Sequence, residues 1–152
     1  MLGMPDAVVH AVGRVTIAAG EVELVLAMIS ASQTTDGNAF VILAKPGEPL
    51  RAARRSVRSM ASPYREALLP VIERAAELLA KRHTVVHAMW VNDAPDQSVA
   101  DWELLHYKTH LRNPADPNTL DGIASQLMET RNHLVHILTA QINNQAPSLE
   151  RQ

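Results

Sequence analysis

Cysteine is absent from the 152-residue chain, and this excludes disulfide bonds, thiolate catalysis and cysteine-based zinc sites. Aromatic residues make up only 3% of it, too few for a platform on which nucleic-acid bases could stack. The core must therefore consist of alanine, valine, leucine, isoleucine and methionine. Such a core favours packed helices over a β-sandwich.

Strong net charge and long apolar runs are also missing. The formal net charge is −2, so a basic surface for nucleic acid would have to be local. No apolar run approaches the roughly 18 residues of a membrane span, and the first residues lack the pattern of a signal peptide. We therefore expect a cytoplasmic protein without membrane contact, built as one domain over residues 1–152 with a frayed tail at 144–152.

Hydrophobic periodicity predicts three long helices and one short basic helix. The first helix begins near Pro5 and Asp6, and its apolar residues alternate in steps of four and three, as in helix bundles: Val8, Val12, Val15, Ala19, Val22, Leu26 and Ile29. The third helix has Ser62 as its N-cap and Pro63 at its first position. The last runs from about Leu120 to Asn143, with Asn118 or Thr119 as its cap.

Between the last two long helices, residues 88–111 lose the helical period. Two short strands around a loop fit this segment better, and residues 112–118 read as a linker. The predicted fold class is therefore all-α, a helical bundle with a small β-hairpin inserted before the last helix.

An arginine interrupts the apolar stripe of two helices. In "KRHTVVHAMW", Arg82 occupies such a position, and His83 and His87 follow one helical turn apart. The predicted stripe consists of Leu68, Ile72, Ala75, Leu79, Arg82 and Val86. Because an unpaired buried charge costs several kcal/mol, Arg82 must pair, reach solvent or face a ligand. Pairing with Glu77, Glu21 or Glu23, with both histidines at the edge of the bundle, is the structural alternative.

The stretch "RHTVVH" resembles the R-x4-6-H signature of HEPN domains, small helical proteins that usually form dimers. Trp90 and the following hairpin resemble a HEPN-like subgroup with an Arg-Asn-x-x-x-His-x-x-Trp pattern. This chain has His83 where asparagine is usual and Ala88 where glycine often follows the histidine. The resemblance implies a homodimeric, cofactor-free and metal-independent endoribonuclease with a composite site at the dimer interface. There, His87 would exchange a proton with the ribose 2′-OH or the leaving oxygen, and Arg82 would hold the phosphate. His83 would either assist or replace an orienting amide.

A near copy of the motif, "TRNHLVHILT", places Arg131 and His136 in the last helix. These two residues lie in mid-helix, where they diverge, so they are the second choice for the site. A surface-edge arginine and a solvated histidine are the structural interpretation of this pair.

One face of the short helix is basic. Four arginines at helical spacing could bind an RNA backbone, or they could form a solvated face: Arg51, Arg54, Arg55 and Arg58.

Two other functions remain open. A non-catalytic HEPN-like module for RNA binding or assembly would use Arg82 and His87 only to hold a dimer together. A toxin or defence role would require a cognate regulatory protein, which no residue identifies.

Three histidine pairs have spacings that could present two imidazoles to a metal: His83/His87, His106/His110 and His133/His136. No carboxylate stands at a diagnostic spacing, so no metal site is predicted.

Overall fold

The computed structural model describes residues 4–93 and 99–145. Part of the predicted loop, residues 94–98, and most of the predicted tail lie outside these ranges. The chain is mostly helical, as predicted. The helices are α1 (Asp6–Ala31), α2 (Ala39–Leu43), α3 (Glu48–Arg58), α4 (Tyr64–His87) and α5 (Pro117–Gln145). No helix in the described residues is both long and apolar enough to cross a membrane.

The predicted hairpin is part of a three-stranded antiparallel sheet. Its strands are β1 (Met89–Val91), β2 (Glu103–Leu105) and β3 (Arg112–Pro114), in the order β1-β2-β3. The linker prediction for residues 112–118 is wrong at its start, because that segment supplies β3. As a short edge strand that ends in proline, with all three residues exposed, β3 lacks the alternation by which strands are recognised.

The ends of two helices differ from the prediction. α5 begins at Pro117 because Asp116 is its cap: the Asp116 carboxylate accepts hydrogen bonds from the Thr119 backbone N–H (3.2 Å) and hydroxyl (2.5 Å). An aspartate followed by proline at the first helical position is a strong start signal, and it displaces Asn118 and Thr119 from the cap. At the other end Asn144, expected in the frayed tail, is helical, and its side-chain amide donates to the Tyr64 hydroxyl.

α4 begins at Tyr64, one residue after the predicted first position. The Ser62 hydroxyl donates to the Glu66 carboxylate (2.8 Å), so its hydrogen is used by a side chain of the first turn.

Contacts divide the chain into two compact units. The sheet unit combines the residues up to Gly20 with Glu77–Met128, and it contains all three strands. Its buried apolar residues come from α1, α4, α5 and the sheet region: Val8, Ala11, Val15, Ala18, Ala19, Leu78, Val85, Leu104, Ala115, Leu120, Ala124 and Leu127.

The α3 unit combines Glu21–Ala76 with the residues from Glu129 onward. It contains α2, α3 and the remaining parts of the three long helices. Its largest fully buried side chains include Leu26, Ile29, Leu68, Ile72 and Leu134.

The apolar stripe of α1 is confirmed, since six of its seven predicted residues are buried and Val12 is half-buried. The predicted stripe of α4 is wrong in its second half. Val86 is 43% exposed and Leu79 is half-buried, whereas Leu78 and Val85 are buried. The observed three-and-four spacing therefore runs through Leu68, Val71, Ala75, Leu78, Arg82 and Val85, which leaves Arg82 on the stripe.

Candidate functional site

Two histidines contact each other at the end of α4. His83 and His87 are one turn apart, and their ring centroids are separated by 4.3 Å at an interplanar angle of 43°. Both residues are exposed. Two imidazoles this close can serve one reacting group, one accepting a proton and the other donating one.

A third histidine is held by the turn that follows β2. The His106 backbone N–H donates to the Leu111 carbonyl (2.9 Å), and the Thr109 backbone N–H points at His106 Nδ1 (3.3 Å). Because a backbone N–H can only donate, Nδ1 is the acceptor, and Nε2 carries the hydrogen in the neutral ring. His106 also stacks on Tyr107 at 5.5 Å and 12°, and Lys108 Nζ lies 5.6 Å from the centroid of the same ring.

The end of α4 and this turn enclose a small cleft, called here the histidine cleft, with a volume of about 200 Å³. Its lining comprises His83, Thr84, His87, Ala88, His106, Tyr107 and Lys108. None of these residues is acidic. A ligand site for a whole drug-sized molecule usually needs about 300 Å³ or more, so the cleft suits a single anionic group such as a phosphodiester.

Arg82 does not line the histidine cleft. It is half-buried on the α4 stripe, and its Nε is buried with no hydrogen-bond acceptor among the residues that the structure describes. Of the two motif residues, His87 lines this cleft and Arg82 does not. Glu21, a predicted structural partner of Arg82, lies beside Arg131.

In the second motif, the arginine is paired with a carboxylate and the histidine is exposed. Arg131 Nε is 3.5 Å from Glu21 Oε2, and Arg131 Nη1 donates to Asn132 Oδ1 (3.1 Å). His136 is exposed in mid-helix. Arg131 is therefore ion-paired with a carboxylate on α1, although its buried Nε, like that of Arg82, has no hydrogen-bond acceptor among the described residues.

Two carboxylates pair with three of the four arginines on the basic face of α3. Arg54 makes two hydrogen bonds to Glu73, at 2.9 and 2.8 Å. This contact raises the pKa of Arg54 and lowers the pKa of Glu73, in both cases chiefly through the side-chain hydrogen bonds.

Glu48 forms ion pairs with two further arginines, Arg51 and Arg55. It accepts from Arg55 and from Arg51 (3.2 Å), and these bonds lower its pKa, the bond from Arg55 most. Arg58 is exposed and makes no ion pair within the described part of the chain. Of the four predicted RNA-binding arginines, Arg58 is therefore the one whose charge is least compensated.

Metal-ligand geometry is absent from residues 4–93 and 99–145: no three histidine, aspartate or glutamate side chains there are placed to hold one ion.

Sequence reasoning missed the contribution of the turn after β2. The sequence pattern marks His106 only as half of a histidine pair, and it does not mark Tyr107 or Lys108. The available signal was the hairpin itself. If β1 directly follows α4 and pairs with β2 in antiparallel fashion, the residues before β1 must meet the residues after β2.

The chain matches no protein-family model, and comparisons with curated proteins and with solved structures likewise find no significant match. The proposed function therefore rests on the geometry of the sheet unit.

Proposed function

We propose that the chain is a HEPN-like, metal-independent endoribonuclease that cleaves RNA by attack of a ribose 2′-OH on the neighbouring phosphodiester. The observation that supports this best is the pair of contacting imidazoles, His83 and His87, in an open cleft without carboxylates. Transfer of protons by positioned imidazoles needs no metal ion.

The α4 histidines carry the proton transfers in this proposal. His87 takes the proton of the 2′-OH while the 2′-oxygen forms a bond to phosphorus. The bond from phosphorus to the 5′-oxygen breaks, and His83 gives that oxygen a proton. The products are a 2′,3′-cyclic phosphate and a free 5′-OH.

The turn after β2 contributes a cationic side chain, Lys108, and a hydrogen-bond donor, His106, to the site. Lys108 can offset the charge that develops on the non-bridging oxygens. His106 can donate a hydrogen bond from Nε2, because its Nδ1 is engaged with Thr109.

The homodimer that the resemblance implies remains part of the proposal. Arg82 holds no acceptor at Nε within the described residues, and it would meet RNA phosphate in a composite site formed by two subunits. A phosphate oxygen would give this buried Nε the acceptor that it lacks among the described residues.

Cleavage of RNA in the presence of EDTA tests the proposal. The expected result is fragments with 2′,3′-cyclic phosphate and 5′-OH ends, lost in the His83→Ala/His87→Ala double variant. Fragments with 3′-OH ends would contradict it, because they require a water nucleophile.

A non-catalytic RNA-binding module is the alternative, favoured by the position of Arg82 outside the cleft and by His83 in place of the usual asparagine. It predicts that the parent binds RNA and leaves it intact.

A further inference from the structure

The sheet unit contains a second cleft, called here the Asn113 cleft, with a volume of about 360 Å³. α4, the sheet and the first turns of α5 surround it. Its size falls in the usual range of small-ligand sites, which starts near 300 Å³.

The two clefts adjoin. Thr84 of α4 lines both of them, so the Asn113 cleft and the histidine cleft meet at this residue. A ligand with an anionic group among the histidines would therefore have its neighbouring part at the entrance of the Asn113 cleft. In RNA, the part next to a phosphodiester is a ribose and its base.

The lining of the Asn113 cleft has the chemistry that a base requires. Val85, Leu104 and Ile123 supply apolar walls for the faces of a planar ring. The exposed amide of Asn113 can donate and accept hydrogen bonds, as the edge of a base does. No carboxylate is among the residues that line the cleft.

Gly122 keeps this cleft open. It lies inside α5, where glycine is the least favourable residue after proline, and a Cβ added to it would meet nothing within 4 Å. Packing therefore does not require glycine there. A side chain at this position would project into the cleft, so the absence of one leaves room for a ligand at some cost to the helix.

We infer that the Asn113 cleft binds the nucleobase of the RNA nucleotide whose phosphate lies in the histidine cleft. This assignment rests on the proposed RNA-cleaving function and gives it a base-binding subsite, with Asn113 as the residue that contacts the base edge.

The test fills the cleft without touching a histidine. Gly122→Leu places a large side chain in it, and Gly20→Leu is the matched control. Both replace a helical glycine whose Cβ position is open, and Gly20 lines neither cleft. Leucine is a better helix former than glycine, so both variants should fold at least as well as the parent.

Binding is measured by NMR titration with inorganic phosphate and with adenosine and cytidine 3′-monophosphates. The parent should bind at least one nucleotide about tenfold more tightly than inorganic phosphate, as expected for hydrogen bonds to a base. Gly122→Leu should lose that difference and keep its affinity for phosphate, whereas Gly20→Leu should keep both. Equal affinity of the parent for phosphate and nucleotides, or an unchanged preference in Gly122→Leu, would overturn the base subsite.

The same variants separate the two proposals. If the parent shows the Gly122-dependent nucleotide preference but cleaves no RNA, the subsite stands and the ribonuclease proposal fails. If it cleaves RNA with cyclic phosphate ends but shows no nucleotide preference, the ribonuclease proposal stands and the subsite fails.

Discussion

Met89 and Leu105 are partners in the antiparallel sheet. Because the two strands run in opposite directions, the end of α4, just before Met89, lies beside the turn that begins just after Leu105. This pairing brings His106 and Lys108 into the same cleft as His87. A shift of one residue in the register would point the residues of β2 to the opposite face of the sheet, so the composition of the cleft depends on the sheet.

A hydrogen bond from the Trp90 side chain connects the sheet to the end of α4. Its indole Nε1 donates to the Val85 carbonyl (3.1 Å), one of the last carbonyls of the helix, which lack helical partners. Trp90→Phe should lower the free energy of unfolding by about 1 kcal/mol and the Tm by about 3 °C in thermal unfolding. Trp102→Phe is the control, because Trp102 Nε1 has no acceptor among the described residues. An equal loss in both variants would show that the hydrogen bond contributes nothing.

Arg82 is expected to cost stability. With Nε buried and without an acceptor in the described chain, Arg82→Met should leave the free energy of unfolding unchanged or raise it by about 1 kcal/mol. The comparison is Arg131→Met, which removes the cation that lies 3.5 Å from Glu21. This variant should lower the free energy of unfolding by about 0.5 kcal/mol. Chemical denaturation measures both. A clear loss of stability in Arg82→Met would restore the structural interpretation of this residue.

The cap of α5 should make stability depend on pH. Hydrogen bonds from Thr119 lower the pKa of Asp116, so the carboxylate stabilises the fold above its unfolded pKa of about 3.9. This contribution is lost as the pH falls through the lower, folded pKa. Asp116→Ala should cost about 1 kcal/mol at neutral pH.

Urea unfolding of parent and variant between pH 2 and pH 7 checks this prediction. The difference between them should shrink at the acid end. Asp116→Asn, which keeps an oxygen to accept the bond, should show a smaller loss and less dependence on pH. A difference that grows on acidification would have the wrong sign for this cap.

The arginines of α3 should contribute unequally to RNA binding. Arg58→Ala should weaken binding and reduce the salt dependence of the affinity by about one unit of slope, because its charge is free of ion pairs in the described chain. Arg54→Ala should have less effect, since Glu73 already neutralises Arg54 at 2.8 Å. Fluorescence anisotropy with a labelled RNA at several salt concentrations compares them. Equal slopes for the two variants would mean that RNA displaces Glu73.

Local patterns in the sequence predicted the long helices and the two contacting histidines. The α1 stripe is regular over three heptads, and residues four apart on a helix must be neighbours. The position of Arg82 on its stripe was also correct, although two apolar neighbours were misplaced by one residue, Leu79 for Leu78 and Val86 for Val85.

Features that depend on distant parts of the chain were not predicted. The Arg54–Glu73 pair joins residues 19 positions apart. β3 is held in place by its antiparallel pairing with β2. His106 and Lys108 reach the cleft through the pairing of β1 with β2. Short strands with little alternation do not specify such pairings, because register is set by contacts across the sheet.

Removal of one imidazole is the most direct test of the central claim. kcat/KM for RNA cleavage, measured with EDTA present, is compared between the parent, His87→Ala and His136→Ala. Both histidines are exposed on long helices, so both variants should fold. The account predicts a loss of about 100-fold or more for His87→Ala and parental activity for His136→Ala. Unchanged cleavage by His87→Ala would contradict the assignment of the site to the histidine cleft.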